Sequence, residues 1–177
     1  RVPRELLVEL VNMARLCANG ANRQQLRFRV VSGQEACAQV FEELAWAGYF
    51  KDWPGPAAGE RPTGYVVIAA ERAVPGKSAA AITEVDCGIA AQTMLLAARA
   101  ATPSVGGCML KAFTPQLADK IGIDNDRYEL KLVCAFGIPA EEVRLESLEG
   151  APEGIKYWRD DAGVHHVPKR SLDEVLI

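Results

Sequence analysis

The pattern of apolar and polar positions is most distinctive over residues 83–101. Residues 87–98 carry no charge, and apolar side chains occupy every side of their helical wheel. A helix that is apolar all round is buried all round. The uncharged run of residues 87–98 is shorter than the roughly 20 residues that a helix needs to span a bilayer. Thr83 and Asp86 have the spacing of an N-terminal capping box, and Pro103 ends the helix because it cannot continue the hydrogen-bond ladder. The pattern therefore predicts a long, buried central helix.

Shorter periodic segments predict the other elements. Apolar residues at helical spacing indicate helices over 3–17, 34–47 and 114–122. Apolar or alternating runs indicate strands over 27–31, 65–70 and 128–135. Ser171 and Glu174 have capping-box spacing for a last short helix. The rest of the C-terminal segment is polar and irregular, so we expect it to need another surface, such as a partner subunit.

Composition indicates an ordinary soluble globular protein. The chain has 177 residues, 49% of them hydrophobic, and a net charge of -3, which is consistent with one domain over 1–177 and does not indicate nucleic-acid binding. Its five cysteines are odd in number and lack CxxC spacing, which favours a reducing, cytoplasmic setting. Neither a signal peptide nor a transmembrane run is visible. Because the sequence begins at Arg1 without a Met, we expect the natural N-terminus to lie upstream.

Three segments could form a binding site, and two of them also have a plain structural interpretation. The loop from Ala18 to Gln24 is rich in amides, which donate and accept hydrogen bonds and suit a heteroaromatic ring or a sugar-alcohol chain; alone it could be a simple turn. Ser104–Gly107 offers backbone N–H groups on a loop without bulky side chains. An aromatic cluster beside a Pro/Gly loop could line a substrate pocket for a planar compound or form a satellite core; its candidate pocket residues are Trp46, Tyr49 and Trp53.

No constellation of catalytic side chains is apparent. His165 and His166 would point to opposite faces of a strand, and no cluster has the spacing of metal ligands, so we predict no metal. Cys108 could be a nucleophile only with a positioned base, and a small core-filling cysteine is the favoured interpretation. GxSxG, P-loop and GxGxxG motifs are missing. If the protein is an enzyme, a bound cofactor carries the reaction.

Four segments, in the right order, resemble the FMN-dependent nitroreductases, in particular their small-subunit branch. Ala18-Asn19-Gly20-Ala21-Asn22-Arg23-Gln24 resembles the P-S-x-x-N-x-Q segment of that family. The segment from Asp86 through Gly88, Ala90 and Gln92, followed by Gly106-Gly107-Cys108 and Phe113, resembles its central helix and glycine turn. Phe136-Gly137-Ile138-Pro139 resembles the end of its last core strand, and Tyr157-Trp158 through Val167-Pro168-Lys169-Arg170 resembles its C-terminal arm.

The resemblance implies an α+β fold, with a mostly antiparallel sheet wrapped by helices, and an obligate homodimer with FMN at the interface. The residues implied to bind FMN are Ala18, Asn19, Gly20, Asn22 and Gln24 from the amide-rich loop, Ser104, Val105, Gly106 and Gly107 near flavin N5, and Lys169 and Arg170 at the phosphate. A C-terminal arm over 151–177 would pack on the partner subunit. The implied activity is ping-pong: NAD(P)H reduces FMN at N5, and a nitroaromatic, quinone or activated alkene reoxidises it, with no catalytic side chain required.

The sequence departs from the family pattern in ways that leave alternatives open. Ala18-Asn19 replaces the usual Pro-Ser, Gln25 replaces the usual Pro, and the R-R-S-type opening that supplies phosphate ligands is not in the sequence. The segment before the glycine turn is also longer than usual. Reductive dehalogenation and flavin fragmentation, which occur in the same superfamily, remain possible activities. A non-catalytic flavin-binding protein is the alternative from another class.

Overall fold

Four strands in antiparallel pairs form the central sheet of the computed structural model, which describes residues 1–51 and 53–177. The chain divides into two compact units. The first comprises residues 1–46 and 56–138, and the second comprises 139–177 with the described part of 47–55. The first unit contains α1 (Arg4–Ala14), a 3-10 turn (Gly20–Asn22), β1 (Leu26–Ser32), α2 (Gln34–Glu42), β2 (Gly64–Glu71), α3 (Ile82–Ala101), β3 (Gly106–Leu110), α4 (Leu117–Lys120) and β4 (Tyr128–Gly137).

The sheet has the order β1-β2-β4-β3 and is covered on both faces. Successive side chains of a strand point to opposite faces, and β2 shows this directly. Val66 and Ile68 pack in one cluster with residues of α1 and α3, whereas Tyr65 and Val67 pack in a second cluster with residues of α2 and α4. A strand buried on both sides reads as a continuous apolar run, which is why β2 was predictable. The predicted α+β fold with an antiparallel sheet is confirmed.

The central helix α3 is present but is buried on one face only within the chain. Its buried residues follow helical spacing: Thr83, Asp86, Cys87, Ala90, Ala91, Met94 and Ala98. The opposite face exposes four apolar side chains. Val85 and Leu96 are the most exposed, at 58% and 62%, and Ile82 and Ile89 are less so. The expectation of burial all round therefore does not hold for one chain. We call the exposed residues Ile82, Val85, Ile89 and Leu96 the α3 stripe.

The predicted capping box at the start of α3 is wrong. The Thr83 hydroxyl donates to the Ala80 carbonyl at 2.6 Å, and α3 begins without a side-chain cap. Asp86 does not turn back to cap the helix; its Oδ1 accepts from the backbone N–H of Gly20 at 2.8 Å. A contact with a distant loop has replaced the local one.

Several element boundaries also differ from the predictions. The helix predicted over 114–122 spans only Leu117–Lys120, and that predicted over 3–17 spans Arg4–Ala14. The segment 34–47 is helical only to Glu42, because the chain beyond it pairs elsewhere: the Ala45 N–H donates to the Ala112 carbonyl at 3.0 Å. Ser104–Gly107 is not wholly a loop, since Gly106 and Gly107 begin β3 and lie opposite Gly137 and Phe136 of β4.

The second unit is more ordered than its polar sequence suggested. Its strands are β5 (Val143–Ser147), β6 (Trp158–Arg159) and β7 (His165–Lys169), which form a sheet of order β5-β7-β6 with a parallel β5-β7 pair. The helix α5 (Leu172–Val175) follows. Its predicted capping box is present: Ser171 Oγ accepts from the Glu174 N–H, and the Glu174 carboxylate accepts from the Ser171 N–H at 2.8 Å. Among the described residues, no helix is both long and apolar enough to cross a bilayer.

Candidate functional site

The amide-rich loop after α1 adopts a backbone conformation that side chains usually avoid. Ala21, Asn22 and Gln24 have φ angles of 50°, 52° and 49°. Left-handed conformations are uncommon outside glycine, and each costs on the order of 1–3 kcal/mol, so they persist where surrounding contacts hold them and they cluster at functional sites. Several hydrogen bonds hold this loop, including two to side-chain oxygens. Asn19 Oδ1 accepts from the Gln24 N–H at 3.1 Å, and Asp86 accepts from the Gly20 N–H.

A cavity of about 210 Å³ lies between this loop, α1, β1 and α3. Its walls combine polar and apolar groups. The loop and β1 contribute amides and carbonyls, α1 and α3 contribute small side chains, and two arginines stand among them. The lining residues are Ala14, Arg15, Cys17, Ala18, Asn19, Gln24, Gln25, Leu26, Arg27, Phe28, Asp86 and Ala90.

Two of the residues that line the cavity each carry a buried hydrogen-bond acceptor without a partner among the described residues. These acceptors are Asp86 Oδ2 and Gln25 Oε1. Asp86 is 3% exposed, so its second oxygen has lost water without gaining a donor. Leaving a buried polar group unpaired costs about 1–3 kcal/mol, and more when the group is charged. A cofactor that presents hydroxyl or N–H donors would satisfy both atoms, and the residues of this cavity therefore fit the sugar-alcohol chain or ring of a flavin.

The sequence-predicted residues of the loop are partly brought together here. Ala18, Asn19 and Gln24 line the cavity. Gly20 does not line the cavity, but it lets the loop approach α3 closely: a Cβ there would lie 2.4 Å from Ile82 Cγ1, so a larger residue would require Ile82 to move. Asn22 is exposed and does not line the cavity.

The glycine segment after α3 lies apart from this cavity lining. Ser104 is exposed, Val105 is buried in the core, and Gly106 and Gly107 are in β3. A Cβ at Gly107 would lie 2.8 Å from the Ala135 carbonyl oxygen and 2.8 Å from Leu95 Cδ2. Close packing between β3, β4 and α3 is thus sufficient to require this glycine.

The aromatic candidates divide between the two units. Trp46 belongs to the first unit, where its ring lies 5.2 Å from that of Phe41. Tyr49 and Trp53 belong to the second unit, where the Arg159 guanidinium lies 4.3 Å from the Trp53 ring centroid. A cavity of about 280 Å³ in the second unit is lined by Tyr49, Phe50, Glu153, Lys156, Tyr157, Trp158 and Arg159.

The two predicted phosphate ligands also lie in the second unit. Lys169 is the last residue of β7, and it is exposed. Arg170 follows it, and its NH1 lies 3.6 Å from a Glu174 carboxylate oxygen across an exposed pair.

The two histidines lie in β7, and the five cysteines are spread over the first unit. No three His, Cys, Asp or Glu side chains group there as metal ligands would. His166 lies between carboxylates, with Nδ1 2.6 Å from Glu146 and Nε2 3.1 Å from Asp160. None of the five cysteines forms a disulfide. Burial raises the pKa of Cys87 to about 11 and that of Cys134 to about 12, so both thiols stay protonated. Cys108 is exposed in the chain, so the expectation that it fills the core is wrong.

Sequence reasoning missed Asp86 and Gln25 as site residues. Asp86 carried a capping-box signal that hid its contact with Gly20, and Gln25 was noted only as a replacement for a proline. The available sequence signal was that Asp86 is a charged residue directly before a long apolar helical run. In the structure its side chain is 3% exposed.

An antiparallel sheet covered by helices on both faces, with a small recess between the small-residue central helix and the amide-rich loop, defines this chain as an α+β domain. The chain belongs to the nitroreductase family, whose model matches residues 1–138. The match ends where the first unit ends, at Ile138.

Solved structures of several bacterial proteins share the fold. A candidate NAD(P)H:FMN oxidoreductase of Staphylococcus epidermidis is 17% identical, with 100% of this chain and 86% of that chain covered, at a TM-score of 0.69. A candidate nitroreductase of Desulfovibrio desulfuricans, solved in complex with FMN, is 18% identical, with 99% and 84% covered, at a TM-score of 0.66. A gut-bacterial enone reductase is 18% identical, with 80% and 81% covered, at a TM-score of 0.62. No curated protein matches the chain.

Proposed function

We propose that this protein is an FMN-dependent NAD(P)H oxidoreductase of the nitroreductase type. The observation that carries the proposal is the recess beside the left-handed loop, whose lining residues Asp86 and Gln25 carry buried acceptors with no donor among the described residues, in a chain that belongs to the nitroreductase family. Structural neighbours named for FMN binding support the choice of cofactor. A neighbour named as an enone reductase supports activated alkenes as one class of oxidant, beside nitroaromatics and quinones.

In this proposal the chain binds and orients the cofactor, and the cofactor carries the electrons. Bound FMN would supply hydride chemistry at N5, taking electrons from NADH or NADPH and passing them to the oxidant in a second half-reaction. Ala18, Asn19 and Gln24 would contact it from the loop, with Gly20 and Asn22 shaping that loop. The exposed cations Lys169 and Arg170 are proposed as phosphate ligands, since a Lys ammonium and an Arg guanidinium both bind phosphate. Ser104–Gly107 is proposed, from the family resemblance alone, to lie near the flavin ring.

A homodimer is part of the same proposal. The cavity of about 210 Å³ is smaller than the roughly 300–1,000 Å³ of typical ligand pockets, so one chain supplies only part of a flavin site. The α3 stripe offers an apolar surface on which a second copy can pack. We also propose a cytoplasmic location, which suits five cysteines without a disulfide.

The test is the visible spectrum of the purified protein, reconstituted with FMN and titrated anaerobically with NADH and with NADPH. Flavin absorption that bleaches with either nucleotide and returns on adding a nitroaromatic, a quinone or an enone is the expected result. NAD⁺ in place of NADH is the matched control and should cause no bleaching. A protein that binds FMN but is not reduced would be a flavin-binding protein without turnover. A protein that does not bind FMN at micromolar concentration would remove the proposal.

A further inference from the structure

We infer that Asp86 and Gln25 are the acceptors that hold the flavin, with Asp86 serving two partners at once. One carboxylate oxygen orders the loop, and the other accepts a hydrogen bond from a hydroxyl or N–H donor of the cofactor. This inference rests on the proposed function and deepens it, because it assigns two residues that the resemblance does not.

The two oxygens of Asp86 are in different situations. Oδ1 accepts from the Gly20 N–H at 2.8 Å, whereas Oδ2 is buried and has no partner in the part of the chain that the structure describes. The side chain as a whole is 3% exposed. An ionised carboxylate has about four lone-pair positions and no donor, so the contact with Gly20 leaves most of its capacity unused.

The two arginines that line the same cavity do not supply the missing donor. Arg27 NH1 donates to the carbonyls of Gln24 and Leu26 at 2.8 Å and 2.9 Å, and its NH2 is paired with Glu71 at 2.7 Å. Arg15 Nε donates to Asn12 Oδ1 at 2.8 Å. Neither has a hydrogen bond with Asp86 in the structure. The donor for Oδ2 must therefore come from outside the described residues.

The chemistry of the two acceptors selects the part of the ligand that faces them. A carboxylate oxygen such as Asp86 Oδ2 accepts hydrogen bonds, and Gln25 Oε1 is an acceptor in the assigned orientation of its amide. Two residues with buried acceptors in the lining of one cavity disfavour a phosphate or a carbonyl and favour hydroxyl or N–H groups. A flavin offers both kinds, on its ribityl chain and at the N3–H of its ring. The phosphate of the flavin must then contact other residues, which is consistent with the proposal of Lys169 and Arg170 as its ligands.

Asp86→Asn is the sharpest test, because it separates the two roles. The carbonyl oxygen of the amide can still accept from Gly20, but an NH₂ group then replaces Oδ2 and faces a donor. We expect an FMN dissociation constant about ten- to a hundredfold higher, as for a lost hydrogen bond to a charged group. Gln25→Met, of similar length but without an acceptor, should raise it about two- to tenfold. Asp126→Asn, the same chemical change at an exposed residue outside the cavity, should leave it unchanged.

Titrations with FMN, riboflavin and lumiflavin identify the donor. Weakening confined to FMN and riboflavin assigns the hydrogen bond to the ribityl chain, and weakening with all three assigns it to the ring N–H; either supports the inference. A second readout is independent of the flavin: trypsin cleavage after the exposed Arg23 should be equally slow in wild type and Asp86→Asn without cofactor.

Three outcomes would overturn the inference. Wild-type affinity in Asp86→Asn would mean that Oδ2 faces no donor, while faster cleavage after Arg23 in that variant would mean that Asp86 acts only by ordering the loop. If Asp86→Asn does not fold, wild-type affinity in Gln25→Met would overturn it. All three presuppose a wild-type chain that binds FMN, so failure of the wild type to bind identifies failure of the proposed function instead.

Discussion

The α3 stripe offers the most direct test of the proposed homodimer. Replacing Leu96 by Glu keeps a good helix former on the helix but puts a charge at the C-terminal end of the α3 stripe. Fully burying a Leu side chain is worth about 1.5–3 kcal/mol. Because 62% of Leu96 is exposed in the chain, the association would bury at most that share, or about 1–2 kcal/mol.

Symmetry enlarges the effect. In a twofold homodimer each substitution occurs twice on the same interface, so the loss of burial alone is about 2–4 kcal/mol. At about 1.4 kcal/mol per factor of ten, the dimer dissociation constant should rise roughly thirty- to several-hundredfold. The cost of burying two unpaired carboxylates adds to this figure.

Sedimentation equilibrium of the flavin-free protein, over a range of concentrations, measures that constant. Val74→Glu is the matched control: Val74 is 55% exposed and lies in the connection between β2 and α3, outside the stripe. Its dimer should be as stable as that of the wild type. If Leu96→Glu also dimerises with wild-type affinity, the interface lies elsewhere, and a wild type that is monomeric at all concentrations would refute the dimer itself.

Three further predictions concern stability. Leu10→Ala, at a fully buried position of α1, should lower the free energy of unfolding by about 2–5 kcal/mol in urea titrations, because the cavity is not refilled. Gly107→Ala should cost about 1–3 kcal/mol with or without FMN, since a Cβ there meets a backbone carbonyl; an effect seen only on FMN affinity would instead indicate a ligand-contacting glycine. Hydrogen bonds with Glu146 and, to a smaller extent, Asp160 raise the pKa of His166 in the folded protein. Protonated His166 therefore stabilises the fold fully below about pH 6.5, the pKa of an unfolded histidine. This contribution to the free energy of unfolding is lost as the pH rises through the folded pKa. Unfolding in denaturant at a series of pH values, followed by tryptophan fluorescence, should show that loss in the wild type but not in His166→Gln.

The elements that sequence reasoning predicted correctly are those with a local cause. The run from Tyr65 to Ala70 is apolar at every position because both faces of β2 are covered, and Gly122 stops α4 with a φ of 67°. By contrast, β3 has a mostly exposed, glycine-led sequence without alternation, and its pairing with β4 defines it. The parallel β5-β7 pair joins segments about twenty residues apart, and no local pattern encodes that register.

Asp86 shows where local signals fail at the site itself. A Thr followed three residues later by an acidic residue matches a capping box, and nothing within that window distinguishes a cap from a buried acceptor. The difference lies at Gly20, sixty-six residues away, whose lack of a side chain lets its N–H come within 2.8 Å of the carboxylate. That contact stabilises the left-handed loop and at the same time leaves the second oxygen without a donor. Gly20→Ala should therefore push the Ile82 side chain aside and lengthen the hydrogen bond between the residue 20 N–H and Asp86 Oδ1. Flavin binding should weaken as a result, although Gly20 itself need not touch the flavin.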